Sequence, residues 1–143
     1  MNAWSHLPNA SHIDRILADL KANPAKWKAA WVAAHKVAWG AARYAARNAA
    51  QDAAWVADCA AREAAVGAAR EAAWDATRVA AQDAAWEAAQ GVAWEAIAAL
   101  IAWDDCAHLL DSEPDEVKLL ARLGVNAAIL IYPACMALNK ELA

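Results

Sequence analysis

The sequence predicts an all-α protein, a compact bundle of about six or seven helices that forms a single domain over residues 1–143. Alanine, the strongest helix former, fills 46 of the 143 positions. There are nine Trp and no Phe, so Trp must supply the bulk that alanine lacks. From residue 29 to residue 95 small residues recur every fourth position, which is close to the period of a helix and unlike the alternation of a strand.

This repeat consists of tetrads, each with two small residues, a distinctive third residue and usually a polar fourth. The phrase AAQDAAW, present at 49–55 and again at 80–86, is part of two successive tetrads. The frame slips once, at Asp58-Cys59, and then resumes. The third positions hold Trp31, His35, Trp39, Arg43, Arg47, Gln51 and Trp55 before the slip, and Arg62, Val66, Arg70, Trp74, Arg78, Gln82, Trp86, Gln90 and Trp94 after it.

The tetrad period also predicts how these helices pack. Four residues turn a helix by about 400°, so a tetrad stripe advances by about 40° per unit and presents alanine to close neighbours, with Trp rings between the helices. An unbroken helix over residues 29–103 would be about 110 Å long, whereas a domain of this size has a radius of gyration of about 15 Å. The stretch must therefore fold back. We expect turns near 57–60 and 90–92, with Gly67 as the rival position.

At the N-terminal end, residues 1–23 predict a helix that covers the bundle. Ser11 to Asp14 resembles a capping box, and apolar residues follow at core spacing. Asn23-Pro24 ends this helix and begins the next one, because proline is favoured at a first helical position. The tetrad helices then occupy residues 24–95.

Residues 96–143 predict apolar helices at the C-terminal end. Ala96–Leu110 has the composition of one strongly apolar helix. Ser112 to Pro114 stops that helix and begins a short one through Leu123, which Gly124 caps.

A last apolar helix follows, with Asn126 as its cap and a kink or interruption at Pro133. We expect Ala127–Leu138 to be largely buried. This is the longest apolar run of the chain, and its 12 residues are too few to span a bilayer.

The net charge argues against a protein that binds duplex nucleic acid, and the cysteines argue against a disulfide-bonded one. The net charge of −4, with both signs well mixed, argues against binding to duplex nucleic acid, which needs a basic face. The three cysteines are far apart and odd in number, which is typical of reduced thiols in a cytoplasmic protein. The first residues do not read as a signal peptide.

Two flanking segments carry a resemblance to a known group. LPNASHIDRILADLKANPAKW and ALIAWDDCAHLLDSEPDEVKLLARLGVNAAILIYPACMAL resemble alanine-rich uncharacterised proteins of tailed phages and prophages, and the tetrads are loosely similar to proteins labelled as immunity proteins. The WDDCAHLLD stretch is the most distinctive part. This resemblance implies an accessory protein in the host bacterial cytoplasm that counters host defence, for example by sequestering nucleotide messengers. It supplies no catalytic motif.

The third tetrad positions contain the candidate binding site. Neighbouring members are four residues apart and touch along a helix, and they combine Trp faces that stack on bases with Arg forks that bind phosphate. We therefore predict a non-enzymatic binding protein, without a cofactor, for a small anionic ligand such as a nucleotide. The oligomeric state stays open between a monomer and a homo-oligomer. The candidate ligand-binding residues are His35, Trp39, Arg43, Tyr44, Arg47, Arg70, Trp74 and Arg78.

Structural roles compete with each of these assignments. Trp at helical spacing is usually core, and Asp75–Arg78 or Asp58–Arg62 is an ordinary helical ion pair. Asp104 and His108 have the spacing of two metal ligands, but a third ligand is not evident. His35 has no nucleophile or oxyanion motif beside it. The alternative function is an immunity-like or inhibitor protein that binds a host protein through a helix face.

Overall fold

The computed structural model describes residues 2–45, 49–73, 75–89 and 93–139, and the side chains of these residues except 35–45, 49–56 and 58. Within these ranges the chain is all-α, as predicted, with seven α-helices and no strand. The helices are α1 (Ala10–Ala22), α2 (Pro24–Ala45), α3 (Ala49–Ala72), α4 (Ala76–Ala89), α5 (Trp94–Ala102), α6 (Pro114–Arg122) and α7 (Asn126–Leu138). A 3-10 helix, Ala107–Leu110, lies between α5 and α6.

The last apolar helix occupies the centre of the bundle. Helix α7 packs against α2, α3, α5, α6 and the 3-10 helix, while α1 lies against α2, α4 and α5. Every described residue from Ala127 to Leu138 is buried or partly buried, which confirms the predicted burial of this run. Pro133 lies inside the helix without interrupting it. Asn126 is its first residue and not its cap, because Val125 holds the cap position without a side-chain hydrogen bond.

Alanine at the second tetrad position forms the close-packing surface. Most second-position alanines from residue 65 onward are fully buried, at Ala65, Ala69, Ala73, Ala81, Ala85 and Ala93. The first-position alanines beside them are exposed or only partly buried. Trp27 and Trp94 fill space between helices as predicted, whereas Trp86 is 49% exposed.

The predicted turn near 57–60 is wrong, and Gly67 is not a turn either, because α3 runs without a break from Ala49 to Ala72. The residues at the frame slip, Asp58 and Cys59, include no glycine or proline that would break a helix. The break instead follows Ala72. There the Asp75 carboxylate accepts a hydrogen bond of 2.8 Å from the backbone N–H of Arg78, three residues on, and so caps the start of α4. The other predicted turn, 90–92, lies outside the described residues, between the end of α4 and the start of α5.

The predicted helix Ala96–Leu110 is also shorter than expected. Helix α5 ends at Ala102, and Trp103 is extended, with φ −126° and ψ 116°. Asn9 donates hydrogen bonds of 2.9 Å and 3.0 Å to the carbonyls of Leu100 and Trp103. These two carbonyls therefore have hydrogen-bond partners although the helix does not continue. Asn9 is therefore used in a tertiary contact, and α1 has no side-chain cap from it.

The expected capping box at Ser11 is not formed. Helix α1 begins one residue earlier, at Ala10, with Asn9 in the cap position. The Asp14 carboxylate accepts a hydrogen bond of 2.9 Å from Trp4 Nε1 instead of binding the helix start. The boundary at Asn23-Pro24 is confirmed, since α2 begins at Pro24.

The end of α6 follows the predicted pattern. Gly124 has φ +86° and donates to the carbonyl of Ala121, while Val125 donates to the carbonyl of Leu120. These two bonds form a Schellman motif, which needs a left-handed residue at the glycine position. Across the described residues, no helix is long and apolar enough to cross a membrane.

Candidate functional site

The structure describes the side chains of only two of the eight predicted site residues. His35, Trp39, Arg43 and Tyr44 lie on α2, but their side chains are outside the described set, and Arg47 and Trp74 fall outside the described residues altogether. Arg70 lies in the last turn of α3, and Arg78 lies in the first turn of α4. The geometry of the candidate site therefore rests on these two arginines and their neighbours.

Arg78 is held by acids and by the end of α5. Its Nη1 and Nη2 atoms lie 3.0 Å and 3.2 Å from the two carboxylate oxygens of Asp104, and Nη1 also donates to the carbonyl of Ile101. Its Nε lies 3.5 Å from Asp75. The hydrogen bond to Asp104 raises the pKa of Arg78 above its ordinary value, with burial opposing it. Most of the Arg78 donors are thus already directed at groups of the protein itself.

Arg70 has a different environment. Its guanidinium carbon lies 5.4 Å from the centre of the Trp94 ring, within the range of a cation–π contact. Trp94 is buried, and its Nε1 donates a hydrogen bond of 3.1 Å to the carbonyl of Gln82. Arg70 itself is exposed, and among the described residues it forms no ion pair. Within the described part of the chain, its guanidinium therefore contacts an aromatic face and no carboxylate.

A second aromatic residue extends this surface. Trp86 meets Trp94 edge to face, with ring centres 5.2 Å apart and planes at 86°. Because Trp86 is 49% exposed, part of its ring is open to solvent beside the pair of Arg70 and Trp94. Gln82 fixes the underlying helices by donating to the carbonyls of Ala69 and Ala98. The three residues Arg70, Trp86 and Trp94 form what we call the arginine–tryptophan face.

A second arginine of α3 repeats the arrangement two turns away. The guanidinium carbon of Arg62 lies 5.6 Å from the centre of the Trp31 ring, and Arg62 also pairs with Glu95. Arg62 thus has a carboxylate partner, which Arg70 lacks among the residues that the structure describes. The predicted site does not include four further residues at third tetrad positions, namely Trp31, Arg62, Trp86 and Trp94. The tetrad period places all four in the same column of the repeat, but only the packing of the helices shows which third-position residues contact each other.

The two described arginines of the prediction do not converge on one point. Arg70 contacts Trp94 at the start of α5, whereas Arg78 contacts Ile101 near its end. Seven residues of helix separate these partners by about 10 Å. The two arginines therefore contact opposite ends of α5.

A shallow open groove of about 450 Å³ lies elsewhere, on the first half of α2. It is lined by Ala25, Lys28, Ala29, Val32 and Ala33. None of these residues belongs to the predicted site, and the groove has no aromatic wall. Its one cationic side chain and small apolar lining offer little to orient a nucleotide.

The remaining reactive groups have structural surroundings. Asp104 binds Arg78, and His108 Nδ1 lies 3.0 Å from the carbonyl of Asp105. No cluster of three or more His, Cys, Asp or Glu side chains capable of holding a metal occurs in the described part of the chain. Burial, with nearby acids adding to it, raises the pKa of the Cys106 and Cys135 thiols to about 12 and about 11, so both stay protonated at neutral pH.

Comparison with known proteins adds no relative to this description: no protein family, curated protein or solved structure matches the chain.

Proposed function

We propose that this protein is a non-enzymatic helical binding protein that holds a small anionic ligand of the nucleotide class. One observation carries the proposal. The Arg70 guanidinium lies over Trp94, has no carboxylate partner among the described residues, and has the half-exposed ring of Trp86 nearby. The resemblance to phage proteins suggests that such binding would withdraw a nucleotide signal from host defence in the bacterial cytoplasm.

The arginine–tryptophan face combines the two contacts that a nucleotide needs. A guanidinium stacked on an aromatic face keeps its N–H donors at its edge, where they can bind phosphate oxygens in a forked geometry. The open part of the Trp86 ring offers a surface on which a base can stack, a contact worth about 1–3 kcal/mol. The nearby Trp94 and Gln82 are held by hydrogen bonds, so the face is built before the ligand arrives.

The test compares two arginines of the same repeat. Isothermal titration with a panel of cyclic and ADP-ribose-type nucleotides measures the affinity of the parent protein and of Arg70→Gln and Arg78→Gln. We expect Arg70→Gln to lose about 1.5–3 kcal/mol of binding, one to two decades in affinity, with an unchanged melting temperature. Arg78→Gln should lower the melting temperature, because it removes the contacts to Asp104 and Ile101.

Trp86→Leu supplies the second variant. Its ring is half exposed, so the substitution should leave the fold intact while it removes the stacking surface and weakens binding.

Native mass spectrometry of protein purified from bacteria with active defence would detect a ligand that stays bound. If the parent protein binds no member of the panel and retains no small molecule, the nucleotide proposal is wrong and the protein-binding alternative takes its place.

A further inference from the structure

Helix α6 presents an apolar stripe to solvent. Leu119 and the C-cap residue Leu123, four residues apart on one face, are 58% and 72% exposed, and Val125, which caps the start of α7, is 41% exposed. Val117, on the other side of α6, is fully buried. Helix α7 is the main neighbour of α6, so α6 is an outer layer with one covered side and one open side.

Charges flank this stripe in a self-complementary order. Asp115 and Arg122 are seven residues apart, and two helical turns bring them to the same side of the stripe, one at each end of α6. Both are exposed, and within the described residues neither takes part in an ion pair. A second α6 laid antiparallel across the first would bring each Arg122 opposite the Asp115 of the other copy, with Leu119 near the centre.

We propose that α6 is the docking surface for a second copy of this chain, which forms a two-fold symmetric dimer by antiparallel α6 pairing. The apolar stripe of one copy covers that of the other, and two Asp115–Arg122 pairs, one at each end, set the register. A contact centred on a nine-residue helix is smaller than a standard interface, so the dimer is weak and forms at high protein concentration. The arginine–tryptophan face takes no part in this contact.

Sedimentation velocity over three decades of concentration, up to the millimolar range, tests the proposal. The parent chain should shift from monomer to dimer. Asp115→Arg alone and Arg122→Asp alone should each raise the Kd about tenfold or more, because both pairs then become like-charge contacts. An equimolar mixture of the two variants should dimerise again, since both contacts in the mixed pair join opposite charges.

Two controls keep this result specific to α6. Leu119→Lys places two like charges at the centre of the pairing and should abolish the dimer, whereas Val79→Lys, at an exposed valine of α4, should not. Circular dichroism of each variant checks the fold, because Asp115 also lies in the first turn of α6. A parent chain that stays monomeric overturns the proposal. So does a dimer that is insensitive to Leu119→Lys, or a charge-swap mixture that fails to associate while both variants stay folded.

Discussion

Single polar side chains join helices in this protein by donating hydrogen bonds to backbone carbonyls. Gln82 binds the carbonyls of Ala69 and Ala98, and Arg78 binds that of Ile101. The alanine side chain has no polar atom, so helices rich in alanine have few other side chains that can fix their relative positions by hydrogen bonds. Each such residue therefore sets the register of two or three helices and is costly to replace, because a buried polar group without its partner costs about 1–3 kcal/mol.

Asp19 gives a pH-dependent example at the residue scale. Its carboxylate accepts a hydrogen bond of 2.7 Å from Trp27 Nε1 and lies 2.8 Å from Lys26 Nζ. Burial raises the pKa of Asp19, but the hydrogen bonds from Lys26 and Trp27 outweigh it, and the pKa lies below the ordinary value of 3.8. The carboxylate thus stabilises the fold fully above that ordinary value, and the contribution is lost as the pH falls through the folded-state pKa.

We expect Asp19→Asn to lower stability by about 1 kcal/mol at neutral pH and to make the melting temperature less sensitive to acid. Thermal melts between about pH 6 and pH 3 measure this. Glu63→Gln, at an exposed carboxylate, is the matched control and should keep the acid dependence of the parent protein. Equal acid sensitivity in the parent and in Asp19→Asn would contradict the assignment.

At the scale of helices, the tetrad has an inner and an outer alanine. Ala81 is fully buried and its neighbour Ala80 is exposed, and the pattern recurs along α3 and α4. A second-position alanine lets the backbones of two helices approach, so a larger side chain there has no room.

Ala81→Leu should therefore destabilise the protein by about 1–3 kcal/mol through overpacking. Ala80→Leu, one residue away on the same helix, should change stability by less than about 0.5 kcal/mol. Chemical denaturation of the two variants checks the contrast. Similar losses at both positions would show that the two alanines are not on different faces of the packing.

Local signals predicted some helix boundaries, and long-range contacts decided the others. Proline at position 24 and glycine at position 124 act within one turn, and both boundaries are where the sequence placed them. The end of α5 depends on Asn9, which is remote in sequence, so no local pattern could show it. The spacing of Asp75 and Arg78 fits both a helix cap and an ordinary ion pair within one helix, and the structure contains both contacts.

The candidate site likewise depends partly on local sequence and partly on long-range contacts. The third tetrad positions marked Arg70 and Arg78 equally, since both are arginines of the repeat. Their different surroundings arise because Arg70 meets Trp94 at the start of α5, whereas Arg78 meets the carbonyl of Ile101 near its end and Asp104 just beyond it. Which third position meets which neighbour depends on helix packing, and the repeat alone carries no information about it.

At the scale of the whole molecule, Asn9 connects distant parts of the chain. Its side chain reaches carbonyls 91 and 94 residues away while the residue is only 4% exposed. Asn9→Ala should cost about 1–3 kcal/mol, because two carbonyls lose their donor in a buried place. Hydrogen exchange should then show faster opening of both α1 and the end of α5. Faster exchange in α1 alone would mean that Asn9 does not couple the two segments.

The central place of α7 has a consequence for how the chain is made. The ribosome releases α2, α3 and α5 before α7, yet α7 is the helix that all three share as a neighbour. Until residues 126–138 emerge, the alanine-rich segments have helical propensity but lack the apolar helix that α2, α3 and α5 pack against together. The nascent chain therefore stays open to proteases until α7 has emerged and can pack between these helices.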